Sequence, residues 1–323
     1  MMMRGIRFIP EGCDINFIGM RWFAFALSSL IIAASIFVLV QRGLNMGIDF
    51  TGGTAIEIRT PVVPDLEEMR SRLNDLDFGS VSIQEFGDER DLLIRMPEQK
   101  APEGWQSSEM FKDYNSFVIG GIQEEIDDIF EGQEVDYRRV EFVGPQVGGE
   151  LQLKGLYAVL FSLLGIMVYI WFRFEWQFGI AAIIALAHDS IATMGLFALT
   201  QMEFNLSTVA AILMIAGYSI NDTVVVFDRI REDLRKYKKK PLSEVFNLSI
   251  NQTLSRTLMT SVTTLLALIA LYVSGGEVIR GFVEALIFGV GVGTYSSIFV
   301  ASPVLLMLNV KRSTAVREEQ AVS

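Results

Sequence analysis

Ionisable residues inside otherwise apolar windows are the first place to look for chemistry in this chain. His188 and Asp189 stand near the middle of one window and Asn221 with Asp222 in the next; Arg256 opens the fifth, and Glu284 lies near the outer end of the last. Holding an ionised group in hydrocarbon costs roughly 2.5–3.5 kcal/mol on insertion scales, so each such residue calls for a partner or a function. Burial favours the neutral form of a carboxyl, and a nearby guanidinium favours the charged form. An aspartate whose distance to an arginine changes can therefore take up a proton in one conformation and release it in another. At 100° per residue, Tyr218, Ser219, Asn221 and Asp222 fall within an arc of about 160°. That directs a polar face at protein or water, with Asp222 near its centre. Arg256 is the nearest candidate partner, although an arginine at the edge of an apolar window is also ordinary topogenic charge. His188 could shuttle protons or simply be packed and satisfied, Glu284 reads as interfacial, and Asp189 falls between.

Other chemistries lack their residues. There is no G-x-x-x-x-G-K-[ST] phosphate loop, no Cys/His metal constellation and no G-x-S-x-G elbow. No cofactor, metal or direct use of ATP is expected. The single cysteine, Cys13, excludes an internal disulfide and reads as a bystander more readily than as a redox site. Asp189 and Asp222 on neighbouring helices could form an aspartyl protease dyad sharing one proton. The setting Gly217-Tyr218-Ser219-Ile220-Asn221-Asp222 is not the G-x-G-D context such a dyad expects.

Positioning these groups falls to six windows long and apolar enough to span a bilayer: 22–40, 156–172, 178–199, 207–227, 257–273 and 281–308. The fifth is short and carries Ser261, Thr263 and Thr264, which suggests packing against other helices more than against lipid. Basic residues crowd alternate connections. Arg4, Arg7 and Arg21 precede the first window, Arg173 follows the second, eight lie between Arg229 and Arg256, and Lys311, Arg312 and Arg317 follow the last. The connections 200–206 and 274–279 have none, so both termini are expected in the cytoplasm. The run Lys238-Lys239-Lys240 is topogenic on this rule; contact with a partner or ribosome is the other reading.

The net charge of −11 is local. Residues 41–152 hold 24 Asp and Glu against 10 Lys and Arg, and the remainder is net basic. This describes one solvated domain on a membrane body and gives no support to nucleic-acid binding. Within it, 54–60, 81–86, 91–96 and 134–143 read as strands, 65–77 and 114–130 as helices, and 97–104 as a loop. Strand-helix-strand-strand-helix-strand is the order of a ferredoxin-like split motif. The expected fold is thus an all-α six-helix membrane bundle with a periplasmic α+β ferredoxin-like domain inserted between helices 1 and 2. Its segments are a cytoplasmic start (1–21), helix 1, the exported domain with flanking hinges (41–152), helices 2–6 within 153–310 around a cytoplasmic loop (228–256), and a cytoplasmic tail (311–323). Glycines flank the exported segment: Gly47, Gly52 and Gly53 before it, Gly144, Gly148 and Gly149 after it. Hinge or tight turn and a binding role both fit them. Gly289 and Gly293 form a small-xxx-small pair suited to close helix approach.

Several stretches taken together resemble the SecF family, within the resistance-nodulation-division superfamily. They are Gly47-Ile48-Asp49-Phe50-Thr51-Gly52-Gly53, Phe142-Val143-Gly144-Pro145-Gln146-Val147-Gly148, Ala185-Leu186-Ala187-His188-Asp189, the run from Gly217 to Glu232, and Gln252-Thr253-Leu254-Ser255-Arg256-Thr257. The resemblance implies a multi-pass subunit of the bacterial inner membrane that is not an enzyme. It implies pairing with SecD, association with the SecYEG channel and with YajC and YidC, and action on an unfolded translocating polypeptide in a lipid membrane. It also implies that Asp222 and Arg256 carry the coupling to a proton gradient, with a further aspartate supplied by SecD; Asn221, Asp189 and His188 are the accompanying coupling candidates, and Asp49, Gly52, Gly53, Gly144, Pro145 and Gly148 the hinge or motif candidates. Half of a small-molecule or lipid exporter is the alternative within the superfamily, although such pumps have larger exported regions.

Overall fold

The computed structural model describes residues 14–76, 78, 81–86, 88–96, 108–275, 279–308 and 310. Arg4, Arg7, Cys13, the segment 97–104 and the basic tail from 311 lie outside the described residues. The chain divides into two compact units, residues 46–157 and the remainder.

The smaller unit is built on a four-stranded sheet. After the two-residue strand β1 (Asn45–Met46), the strands of this sheet are β2 (Gly53–Arg59), β3 (Ser82–Phe86), β4 (Asp88–Met96) and β5 (Asp136–Val143), in spatial order β3-β4-β2-β5 with every pairing antiparallel. Period-two alternation sends one set of side chains to each face. Ile56 pairs with Ile94 and Ile58 with Leu92, and this face meets Met69 and Leu73 of α3 (Leu66–Asp75) and Ile122 and Ile126 of α4 (Ser108–Ile129). All eight side chains are fully buried. Asp65 starts α3 by accepting from the backbone N–H groups of Glu67 and Glu68 at 2.9 and 3.2 Å, satisfying donors that a helix start leaves orphaned. Arg72 ties the two helices together through Glu125 at 2.6 Å and Asp128 at 2.5 Å. On the opposite face of the sheet, buried Asp91 is held by Arg138 at 3.2 Å and Arg59 at 3.7 Å.

Six helices are long and apolar enough to cross a membrane: α1 (Arg21–Arg42), α5 (Pro145–Arg173), whose residues up to Tyr157 belong to the smaller unit, α6 (Trp176–Thr200), α7 (Leu206–Lys236), α8 (Leu242–Ser274) and the run from Arg280 to Met307. The last comprises α9 (Arg280–Ser296), a π-helical turn (Ser297–Ala301) and α10 (Ser302–Met307). About half or more of the apolar window is buried in α6, α7 and the last run, against 11% in α1, α5 and α8, so the first three form the centre. Gly289 and Gly293 let α9 approach α7 closely; a Cβ on Gly293 would lie 3.1 Å from Ser219 Cβ.

Three helices depart from the hydropathy windows, α5 by beginning 11 residues before Leu156. α7 runs nine residues beyond Phe227, and α8 begins 15 residues before Thr257. Their extensions are bound by polar contacts that a hydropathy scale counts as loss. Asn247 and Asn251 of α8 accept from the backbone N–H groups of Ile18 (2.9 Å) and Ile15 (3.0 Å), and Asn251 also donates to the Ile15 carbonyl. The fifth window's hydroxyls divide between two solutions. Ser261 faces the bundle as expected, whereas Thr263 is exposed and donates to its own helix at Met259 O, 2.8 Å away. A threonine that satisfies itself on the preceding turn needs no neighbour.

Candidate functional site: intramembrane carboxylates

Asp189 is a fully engaged acid. It is 1% exposed, and its Oδ2 accepts from Ser219 Oγ of α7 at 2.5 Å and Ser296 Oγ of α9 at 2.7 Å. His188 Nδ1 stands 3.0 Å from Oδ1. One side chain thereby joins the three central helices. His188 Nε2 is buried without a hydrogen-bond partner among the described residues, and the ring lies 6.1 Å from that of Tyr295, whose hydroxyl donates to Ala24 O of α1.

Asp222, one turn along α7 from Ser219, is the opposite case. It is 2% exposed, its Oδ1 has one long contact from Thr260 Oγ1 of α8 at 3.5 Å, and its Oδ2 has no partner among the described residues. Arg256 lies within electrostatic range of Asp222, but it is exposed and forms no ion pair within 4.0 Å among the described residues. Asn221 is also exposed, on a different side of α7 from its neighbour. The predicted polar face is therefore split: Ser219 and Asp222 point into the bundle, Tyr218 donates to Ser261 of α8 at 3.0 Å, and Asn221 points out. Asp189 and Asp222 share no hydrogen bond, and each Asp189 oxygen is already occupied, so the geometry of a proton-sharing dyad is not present. Glu284 pairs with Arg280 at 3.4 Å on its own helix.

The glycine motifs meet in the smaller unit. Gly47 precedes the one-turn helix α2 (Ile48–Thr51), which carries Asp49, and Gly52 and Gly53 end it at φ 72° and 117°. Positive φ is the conformation that glycine adopts without steric penalty. α5 begins at Pro145, a position where the missing N–H costs nothing. Gly148, on its first turn, packs against this motif: a Cβ there would stand 3.0 Å from Gly52 N and 3.3 Å from Phe50 O. Around Gly144 an added Cβ meets nothing within 4 Å.

Titratable groups of the smaller unit carry ordinary structural shifts. The Arg90 backbone N–H beside Asp88 holds that carboxyl below the usual range, with the Arg90 and Arg59 guanidinium groups adding to it. Burial, with Asp127 as hydrogen-bond acceptor, pushes the Tyr137 phenol up.

Reasoning from the sequence missed Ser296, although the run Thr294-Tyr295-Ser296-Ser297 breaks the last apolar window and could have marked it, and Thr260. It also missed Asp233, which reads as one more charge in a basic loop yet is 0% exposed.

A central trio of apolar helices organised around buried acids, with a small α/β unit between the first two long helices in chain order, defines a polytopic membrane transport component. Residues 123–311 match the family described as protein export membrane protein SecD/SecF, C-terminal, and residues 37–60 match the SecD/SecF GG motif. The protein translocase subunit SecF of Rickettsia rickettsii (strain Sheila Smith) is 47% identical over 307 residues, covering 95% of this chain and 96% of the relative. That of Rickettsia bellii (strain OSU 85-389) is 45% identical over 314 residues, 97% and 99% of the two chains. Among solved structures, SecDF from a Thermus species, described as a translocon-associated membrane protein, superposes with a TM-score of 0.79 at 38% identity over 92% of this chain. SecDF in its super-membrane-facing form gives 0.62 at 35% over 96%. The chain spans nearly the whole of its curated relatives but only 39–40% of the SecDF chains. It belongs to the SecF family of protein translocase subunits.

Proposed function

We propose that this chain works with SecD as a proton-driven accessory to the SecYEG channel, promoting late steps of polypeptide translocation across the bacterial inner membrane. YajC and YidC are further candidate members of that assembly. Both termini are cytoplasmic in this reading, and residues 41–152 form a periplasmic ferredoxin-like domain. The strand order β3-β4-β2-β5 with both helices on one face supports that assignment.

One observation carries the coupling. Asp222 is buried among apolar helices with an unpartnered oxygen, and the arginine nearest to it in charge is exposed with no acid in ion-pair range among the described residues. A carboxyl so poorly satisfied is open to a change of protonation, and a free guanidinium nearby sets when that change occurs. Arg256 and Asn221 lie on the face we assign to SecD, which would supply a further carboxylate. Protonation of Asp222 then alternates the packing of α7 against α8, and the hinge residues Asp49, Gly52, Gly53, Gly144, Pro145 and Gly148 pass the movement to the exported domain. His188 and Asp189 hold the central helices in register around this step. An Asp222→Asn chain should assemble with SecD yet lose secretion that depends on the proton gradient. Normal export by that variant rejects the mechanism.

A further inference from the structure

The interface between α7 and α8 contains polar atoms that this account leaves unused. Ser249, Thr253, Thr257 and Ser261 recur at every fourth position of α8, stacking on one face over about 18 Å at 1.5 Å per residue. All four are buried. At one end Ser249 Oγ donates to Asp233 Oδ2 at 2.9 Å, and Arg229 Nε stands 3.4 Å from the same oxygen. Toward the other end Ser261 receives the Tyr218 hydroxyl, while its neighbour Thr260 reaches Asp222.

Three buried atoms along this seam lack a hydrogen-bond partner among the described residues: Asp222 Oδ2, Thr257 Oγ1 and Asp233 Oδ1. Their residues are 2%, 1% and 0% exposed. A buried polar atom left dry is costly, and several in one polar seam are the setting in which buried water is found. Asp222 and Asp233 are separated by about 16 Å along α7, too far for direct transfer and a suitable distance for a short file of waters.

We propose that the α7–α8 seam is a hydrated proton path and that Asp233 is its terminal carboxylate. This rests on Asp222 being the coupling acid. The proton leaves the Asp222 carboxyl, passes by exchange of O–H bonds along waters held by Thr257 and Ser249, and arrives on Asp233 Oδ1. It is then lost to bulk water at the lysine-rich end of the hairpin, which returns Asp233 to its carboxylate beside Arg229. Only O–H bonds form and break.

The test uses the full chain with SecD and SecYEG in sealed vesicles, reading proton flux on an imposed gradient together with export. Asp233→Asn keeps the shape but cannot hold the proton, and should lower flux by about 100-fold or more. Asp233→Glu should restore it, and added azide, a small weak acid, should restore it in part. Thr257→Val removes one hydroxyl at constant shape and should lower flux by about tenfold, the effect of one hydrogen bond. Wild-type flux in Asp233→Asn and Thr257→Val, alongside an inactive Asp222→Asn, overturns the path and leaves the Asp222 reading standing. An active Asp222→Asn removes that reading itself. A loss in Asp233→Asn that neither azide nor glutamate repairs marks a structural clasp and also overturns the path. If Asp233→Asn does not assemble, Thr257→Val decides alone, wild-type flux again overturning it.

Discussion

Asp189 and Asp222 are both buried acids in central helices, yet their surroundings predict opposite phenotypes. Replacing Asp189 with alanine removes the acceptor for Ser219, Ser296 and His188, three contacts of 2.5–3.0 Å joining α6, α7 and α9. Side-chain hydrogen bonds in membrane proteins average about 0.6 kcal/mol and reach about 1.7. The Asp189→Ala chain should therefore lose about 2–5 kcal/mol of stability. Asp189→Asn keeps an oxygen for the two hydroxyls and loses only the acceptor facing His188, so about 0.6–1.7 kcal/mol is expected. Asp222→Asn gives up a single 3.5 Å contact and should unfold like the unmodified chain while losing gradient-dependent export. Reversible unfolding in mixed detergent micelles, followed by tryptophan fluorescence, measures all three. Asp189→Ala unfolding at the same denaturing-detergent fraction as the parent would refute the hub. Equal losses from Asp189→Ala and Asp222→Asn would refute the distinction between them.

Three further expectations follow from local geometry. Gly148→Ala pushes a methyl against backbone atoms that cannot yield, so a loss of about 1–3 kcal/mol is expected in the same unfolding assay, whereas Gly144→Ala should be nearly neutral. The depressed folded-state value of Asp88 means that its contribution is present above the ordinary carboxylate range and is lost as pH falls through the folded value. Amide exchange at Arg90, corrected for its intrinsic pH dependence, should thus lose protection only below about pH 4; loss at neutral pH would contradict this. Replacing both Asn247 and Asn251 with alanine removes the acceptors of the Ile18 and Ile15 amides. Faster exchange at those two amides, with α6 and α7 unchanged, is the expected outcome; unchanged exchange would show that other contacts hold the segment.

The six long helices were legible because hydropathy is additive over a window and the cost of exposed apolar surface dominates. Their ends were not. α8 starts at Leu242 because Asn247, Asn251 and Ser249 find partners on other elements, and such specific pairs have no periodic signature. Asp222 could be picked out as an unneutralised acid. That its neighbour Asn221 faces outward could not be, since both sit in the same broad polar arc. Asp189 falls between the packed and the functional reading in sequence, and its engagement by the hydroxyls of Ser219 and Ser296 is visible only in the structure. In the smaller unit periodicity marked the strands and helices along the chain but not which strands pair, and α4 begins six residues before its amphipathic pattern does.

The π turn at Ser297–Ala301 holds one residue more than α-helical winding would, with the Ser302 hydroxyl reaching back five positions to Ser297 O. Deleting one residue there would return the turn to α-helical winding, and the side chains beyond it would keep the facing they have now. Leu305 would stay buried among its neighbours, and the Ser302 hydroxyl would reach the same carbonyl as an ordinary contact on the preceding turn. The surplus residue makes this the spot in the last run where a one-residue deletion should be best tolerated, whereas a deletion inside the regular winding of α7 would turn the side chains beyond it by about 100°.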